Sequence, residues 1–215
     1  MGHDDKPFPL ISDAIRGGDS QRLSELFISF PEMVELKVPA FGSWLHYAAA
    51  VGTLEIVQLL VSMGFDVNAM EERTGQLPIA MAASSGNHSI VQYLLTEGSI
   101  VDTSNAICNP LFATIAGSIN ANATHSPPNS KAPQIVRLLL ESGMASEVTY
   151  NTKTLKNMDA VAYAMMMGAR DLARIIALWN AKGDEVAAQS ALNNADYIAD
   201  QNTIPVPVGE QLTPS

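Results

Sequence analysis

The sequence repeats itself with a period of 34 residues between positions 41 and 109. Four pairs of equivalent positions keep the same residue in both copies: Ala48 and Ala82, Gly52 and Gly86, Ile56 and Ile90, and Gly64 and Gly98. A period of this length, kept by small and aliphatic residues together, indicates units that stack on one another. The apolar residues of one unit fall at helical spacing over about 44–51 and 54–63. The sequence therefore predicts an all-α stack of helix-turn-helix units.

The same register extends beyond the two clear copies. Ala14 and Gly18 lie 34 positions before Ala48 and Gly52, whereas Ile90 and Ile135 are 45 positions apart. The longer spacing contains a segment rich in Ser, Asn and Pro, which is typical of an exposed loop. We therefore predict one domain at 7–182, with five repeats near 8–40, 41–74, 75–108, 109–157 (with a loop inserted at 117–133) and 158–182, then a helical extension at 183–200 and a flexible tail at 201–215.

Residues 43–48, Ser-Trp-Leu-His-Tyr-Ala, resemble the T-P-L-H-x-A signature of ankyrin repeats. Residues 77–82 and 109–112 resemble weaker versions of the same signature. The resemblance implies an ankyrin-repeat solenoid of about five helix-turn-helix repeats with short projecting fingers. It also implies that Ser43 caps an inner helix and that His46 forms hydrogen bonds to a neighbouring repeat. Trp44 replaces the usual proline, and Ala80 replaces the usual histidine in the next copy, so fewer such bonds are expected than in an ideal array.

The formal net charge of the chain is −10, and half of this net charge belongs to the middle stretch, residues 42–109. Residues 42–109 contain six Asp or Glu residues and only one basic residue, Arg73. Such a stretch argues against a nucleic-acid contact, because phosphates bind to Lys and Arg. An acidic concave surface would attract a basic protein partner during encounter. The alternative is that the charge serves solubility alone.

Several other classes of function are not supported by the sequence. No run of apolar residues approaches the length of a membrane span, and the polar N-terminus does not resemble a secretory signal, which favours the cytoplasm. The four histidines are dispersed, Cys108 is a lone cysteine without an assignable base, and no catalytic motif is present. We therefore expect no metal, no cofactor, no membrane contact and no enzymatic activity.

The predicted partner-binding residues lie in the fingers and on the inner helices, the parts that line the concave face in ankyrin proteins. Large aromatic residues are typical interface anchors, although Trp44 could instead pack on Phe41 and the first repeat. A charged finger tip at 71–73 could equally be a solvated loop, and the methionines at 165–167 could serve packing alone. The full predicted set is Phe41, Trp44, Tyr47, Glu71, Glu72, Arg73, Met81, Ser84 and Ser85.

The combination of residues 39–48, 102–104, 109–112 and 158–160 is similar to that of small bacterial ankyrin proteins. Several such proteins accompany secreted type VI or Rhs-type toxins as immunity proteins. The resemblance implies a monomer, or a heterodimer with its partner, that neutralises a basic toxin by covering its active site. The alternative hypothesis is a regulatory scaffold or chaperone that binds an endogenous protein.

Overall fold

The computed structural model describes residues 7–101, 103, 106–119, 130–151 and 156–202. These residues form eleven α-helices and one short 3-10 helix, Pro31–Met33, and they contain no strand. The helices are α1 (Pro7–Gly17), α2 (Ser20–Ser29), α3 (Trp44–Val51), α4 (Leu54–Ser62), α5 (Pro78–Ser85), α6 (His88–Thr96), α7 (Pro110–Ile119), α8 (Ala132–Glu141), α9 (Ala160–Met166), α10 (Arg170–Asn180) and α11 (Glu185–Asn202).

Consecutive helices pair into five repeats, from α1–α2 to α9–α10. The first helix of each repeat contacts the first helix of the next repeat, and the second helices contact one another in the same way. The chain therefore has an inner layer of α1, α3, α5, α7 and α9 and an outer layer of α2, α4, α6, α8 and α10. The all-α solenoid of about five helix-turn-helix repeats that the sequence predicts is confirmed.

The two layers are built from side chains of different size. Alanine is common at the buried positions of the inner helices, where neighbouring backbones approach closely; Ala48, Ala49, Ala82 and Ala83 are all fully buried. The outer helices bury larger aliphatic side chains at helical spacing, among them Ile56, Val57, Leu60, Ile90, Val91, Leu94, Ile135, Val136 and Leu139. Along the sequence, an inner helix with buried alanines therefore alternates with an outer helix that buries larger aliphatic side chains, and this alternation gives the 34-residue period.

Side chains also bridge neighbouring repeats through hydrogen bonds. The Nε2–H of His46 donates to the carbonyl of Gln76 at 3.1 Å, which confirms its predicted bridging role. Asn87, just before α6, donates to the carbonyl of Ala49 at 2.8 Å. Asn68 contacts the third repeat twice, since its side chain donates to the Gly98 carbonyl and accepts from the backbone N–H of Ile100. Polar residues at the ends of helices therefore fix the spacing of the stack.

Helix α11 packs against α9 and α10, as the inner helix of a further repeat would. It buries Ala188, Ala195 and Ala199, which lie on one face of the helix at helical spacing. The carboxylate of Asp184 accepts from the backbone N–H groups of Val186 and Ala187 and so caps its first turn. The last repeat is in this way covered by a helix whose outer side is mostly polar.

Two local expectations need correction. The loop predicted at 117–133 is shorter, because 117–119 belong to α7 and 132–133 to α8; residues 120–129 lie outside the described part. Residues 201 and 202 of the predicted tail are the last residues of α11, and 203–215 also lie outside the described part. At the start of α2, the side chain of Asp19 caps the helix by accepting from the backbone N–H of Arg22 at 2.9 Å.

Candidate functional site

The inner helices reach solvent through a set of side chains that extends over four repeats. Equivalent positions recur in each helix: Val51 of α3 and Ser85 of α5 lie 34 residues apart, and both are exposed. Because the four helices adjoin one another, these side chains form one surface. This inner surface consists of Ala50, Val51, Met81, Ser84, Ser85, Ala116, Tyr163 and Met166.

The inner surface carries no charge. Helices α3, α5, α7 and α9 contain no Asp, Glu, Lys or Arg, and their one histidine, His46, is buried. The acids of the middle stretch lie elsewhere: Glu55 is on the outer helix α4, and Glu97 follows the outer helix α6. Helices α3, α5, α7 and α9 therefore contribute no acid to the concave face, contrary to the expectation of an acidic surface there. The sum of charges over residues 42–109 did not distinguish the inner layer from the outer layer.

Trp44 and Tyr47 are core residues, which corrects their prediction as contact residues. The Trp44 side chain is fully buried, and its indole N–H donates to the Met33 carbonyl at 2.7 Å. Tyr47 is 8% exposed, and its hydroxyl lies 2.8 Å from that of Ser12 in the first repeat. Both rings join the first repeat to the second. Phe41 is only half-buried, with its ring edge against Tyr47 at 5.0 Å between centroids.

Glu71 is also buried, and it organises the finger between the second and third repeats. Its carboxylate accepts from the hydroxyl and N–H of Thr74 and from the N–H and Nε–H of Arg73. The hydrogen bonds from Thr74 and Arg73 lower the pKa of Glu71 to about 2. The role of Glu71 in the isolated chain is therefore structural, contrary to the expectation of a solvated finger tip or a partner contact at this position.

Glu72 and Arg73 are exposed at the tip of this finger. The Lys37 ammonium, on the preceding finger, lies 4.0 Å from the Glu72 carboxylate. Adjacent fingers thus present charged groups beside the uncharged inner surface. Among the predicted contact residues, Phe41, Glu72, Arg73, Met81, Ser84 and Ser85 reach solvent, whereas Trp44, Tyr47 and Glu71 do not.

His46 is held in its neutral form by its surroundings. Burial lowers the pKa of His46. Its Nε2–H donates to Gln76, so Nδ1 accepts, and Nδ1 receives the backbone N–H of Ser43 at 3.2 Å. A second proton, on Nδ1, would point at the backbone N–H of Ser43, and two donors cannot form a hydrogen bond with each other. The ring is therefore a hydrogen-bonding spacer between repeats and lacks an accessible nitrogen for proton transfer.

The described residues contain no cluster of three His, Cys, Asp or Glu side chains with the geometry to hold a metal ion. Cys108 is buried, and its thiol contacts the carbonyl of Thr74 at 3.3 Å. Over the described ranges, no helix combines the length and the apolar character needed to cross a membrane.

A groove on the outer layer was not anticipated from the sequence. It has a volume of about 750 Å³ and lies between α8, the segment that follows α8, and the C-terminal end of α10. Trp179, in the last turn of α10, is 46% exposed there. The groove is lined by Arg137, Met144, Ala145, Ser146, Glu147, Ile175, Leu178, Trp179, Asn180, Lys182 and Gly183.

Comparison with known proteins agrees with the repeat architecture. The family model "Ankyrin repeats (3 copies)" matches residues 13–105 and 45–122. The chain is 33% identical over 96 residues to mouse protein phosphatase 1 regulatory subunit 27, a match that covers 45% of this chain and 62% of that protein. It is 32% identical over 82 residues to the NF-kappa-B inhibitor cactus of Drosophila yakuba, covering 38% of this chain and 17% of that protein.

The human Notch-regulated ankyrin repeat-containing protein is 34% identical over 92 residues, which are 41% of this chain and 79% of that protein. The match thus spans less than two thirds of the first two relatives and more than two thirds of the third. The family model, the relatives and the five stacked helix pairs all agree. This chain belongs to the ankyrin-repeat family.

Proposed function

We propose that the chain is a non-enzymatic binding protein that holds one protein partner on its inner surface. The observation that carries this proposal is the inner surface itself, a set of solvent-reaching side chains from four adjoining helices without a charged group. Met81 and Met166 supply flexible apolar contacts that adapt to a partner. Ser84 and Ser85 supply hydroxyl groups for hydrogen bonds. Apolar contact with few charges is characteristic of the buried centre of protein interfaces.

The partner that we propose is a bacterial toxin, which the chain neutralises in the cytosol by covering its active site. The similarity to small bacterial ankyrin proteins with this role supports the proposal, and one relative is named as an inhibitor. A net charge of −10 favours a basic partner through long-range attraction. In this arrangement an apolar segment of the toxin lies on the inner surface. Its basic residues face Glu72, which is exposed on the finger beside the inner surface.

A regulatory scaffold or chaperone for an endogenous protein is the second candidate. It is supported by the names of two relatives, a protein phosphatase 1 regulatory subunit and a Notch-regulated protein. Both candidates use the same inner surface and a one-to-one complex, and they differ in what the complex achieves. Toxin neutralisation predicts that the chain rescues growth of cells that express its partner, whereas a scaffold gives no rescue.

The test compares two double variants with the wild-type chain in pull-downs from the native host, followed by titration of the captured partner. Val51→Glu with Ser85→Glu places two carboxylates at equivalent positions of the inner surface. The control, Gln58→Glu with Gln92→Glu, places two carboxylates at exposed positions of the outer helices α4 and α6, again 34 residues apart. Both variants change the net charge equally, so that any difference reflects the surface and not the charge.

We expect the inner-surface variant to bind about 30-fold more weakly than wild type, and the outer-helix variant within about threefold of it. A basic partner whose toxicity is abolished by the wild-type chain would support neutralisation. An endogenous partner without toxicity would favour the scaffold. Equal binding by both variants and wild type would reject the inner surface as the interface.

A further inference from the structure

The groove on the outer layer has an apolar floor that is partly exposed to solvent. Trp179 lies in the last turn of α10 and is 46% exposed, although tryptophan is usually well buried. Ile175 and Leu178 complete the floor and are partly buried. Tryptophan is enriched among the residues that dominate binding energies at interfaces. The floor thus offers an apolar anchor site away from the inner surface.

The rim of the groove is positive, in contrast to the rest of the chain. Arg137 and Lys182 both line the groove and are exposed, and neither forms an ion pair with another described residue. Five other basic side chains do have a carboxylate within 4.0 Å: Arg16, Lys37, Arg73, Arg170 and Arg174. Glu147 is the acid among the lining residues, so the lining carries one net positive charge in a chain of −10. The groove thus offers an anionic group two positive side chains, Arg137 and Lys182.

The walls of the groove are fixed to each other. The Ser146 hydroxyl, on the segment after α8, donates to the Asn180 side-chain oxygen at 2.6 Å. Ser146 is 6% exposed, so this bond is shielded from water. The amide nitrogen of Asn180 has no hydrogen-bond partner among the described residues. It is a donor that a backbone carbonyl of a bound chain can use.

The shape of the groove favours a peptide over a small molecule. Small ligands are bound in cavities that bury most of their surface. Here Arg137, Ala145, Glu147, Lys182 and Gly183 are all exposed, so one side of any occupant faces water. A volume of about 750 Å³ is large enough for a few side chains of an extended segment.

We propose that this groove is a second binding site, which takes an extended acidic segment of a protein partner. One large apolar side chain of that segment packs on Trp179, and an adjacent carboxylate pairs with Arg137 and Lys182. The Asn180 amide donates to the backbone of the segment. The site lies on the outer layer at the C-terminal end of the stack, so it can be occupied while the inner surface holds a different element. It does not depend on the nature of the partner at the inner surface.

The test uses the full-length chain and a displayed library of random heptapeptides, with counter-selection on a Trp179→Ala variant. Enriched peptides are synthesised and titrated by fluorescence anisotropy. The second variant, Arg137→Glu with Lys182→Glu, leaves the apolar floor intact. The matched control is Arg22→Glu, an exposed arginine of α2 that lies outside the groove and has no ion-pair partner among the described residues. Thermal unfolding of each variant verifies that it is folded.

We expect enriched peptides that combine Asp or Glu with a large apolar residue. Their dissociation constants should rise about tenfold or more in both groove variants and stay unchanged in Arg22→Glu. Raised salt should weaken binding, because exposed charges are screened. Three results would each overturn the proposal. The selected peptides could lack an acidic bias, their binding could survive the double charge reversal, or none could be enriched over the Trp179→Ala variant.

A separate measurement on the full-length chain distinguishes a partner from the chain's own residues. Iodide quenches exposed tryptophan, and Trp44 is fully buried, so quenching reports on Trp179; a Trp179→Phe variant gives the Trp44 background. We expect strong quenching that the selected peptide suppresses. A Trp179 signal shielded before any peptide is added would mean that a segment of this chain occupies the groove, and the proposal would fail.

Discussion

At the scale of single residues, Gly117 shows how closely the inner helices approach each other. A Cβ atom at this position would overlap with the carbonyl oxygen of Ser84 and lie 2.7 Å from its carbonyl carbon. Because the contact is with backbone, no rotamer change relieves it. We expect Gly117→Ala to lower the free energy of unfolding by about 2–3 kcal/mol, as measured by urea denaturation. Gly17→Ala is the control, since nothing lies within 4 Å of a Cβ there. It should be neutral or slightly stabilising, and equal losses in both variants would contradict the prediction.

The carboxylate of Glu71 makes the finger between the second and third repeats sensitive to acid. Its pKa of about 2 in the folded chain is below the ordinary value of 4.5, so its stabilisation is complete above pH 4.5. It is lost as the pH falls from 4.5 towards 2, because protonation removes the acceptor for Thr74 and Arg73. We expect the difference in unfolding free energy between wild type and Glu71→Gln to shrink over this range. A difference that stays constant from pH 5 to pH 2.5 would exclude this role.

The orientation of side chains limited what could be predicted about individual site residues. The bridging role of His46 was predictable, because its position in the repeat signature determines its neighbours. The burial of Trp44 depends on Phe8, Phe27 and Met33, whose relation to Trp44 is set by the tertiary fold. Glu71 is buried because the local turn provides hydrogen-bond donors from Arg73 and Thr74, and the sequence Glu-Glu-Arg does not indicate this turn. The absence of charged residues from α3, α5, α7 and α9 was visible in the sequence, however, once each acid was assigned to a position within its repeat.

At the scale of helices, α11 is held to the stack by its last residue as well as by its alanine face. The Asn202 side chain accepts from the N–H of Lys156 at 2.6 Å and donates to the Lys156 carbonyl at 3.1 Å. We expect Asn202→Ala to cost about 1–2 kcal/mol and to accelerate amide exchange in the last turn of α11 and at Lys156. Gln201→Ala, at the exposed neighbouring position, is the control. Unchanged exchange in the Asn202 variant would show that the alanine face alone holds the helix.

The helices themselves were largely predictable, and their ends were less so. The positions of α3 and α5 follow from the 34-residue period, since each begins at a repeat signature and ends near a glycine. Asp19 and Ser20 are both good capping residues, so the sequence alone does not decide which of them caps α2. The inner face of α11 consists of alanines, which carry little hydrophobic signal in a sequence. The helix packs against α9 and α10 because the last repeat would otherwise expose its apolar side at the end of the stack.

At the scale of the whole molecule, the junction between the fourth and fifth repeats differs from those before it. Helices α5 and α7 meet through small residues, whereas α7 and α9 are joined by aromatic rings. Phe112 is stacked on Tyr163, with 4.5 Å between centroids, and meets the edge of Tyr150 at 5.1 Å. Because each repeat contacts only its neighbours, stability in such a stack is a sum of repeat and junction contributions. The aromatic junction is therefore, together with the contact between α8 and α10, what connects the unit of α9, α10 and α11 to the rest.

This dependence predicts that the chain can be made to open from either end. We expect Phe112→Ala to cost about 3–5 kcal/mol and to raise amide exchange first in α9, α10 and α11, because the open unit keeps its own contacts. Phe27→Ala is the matched variant, since Phe27 is 3% exposed and packs on Trp44 and Phe65 near the other end. It should raise exchange first in α1 and α2. Hydrogen exchange with mass spectrometry resolves the two patterns. A uniform rise over all helices in both variants would mean that the stack unfolds as one unit, since a cooperative chain transmits the loss of either junction to every repeat.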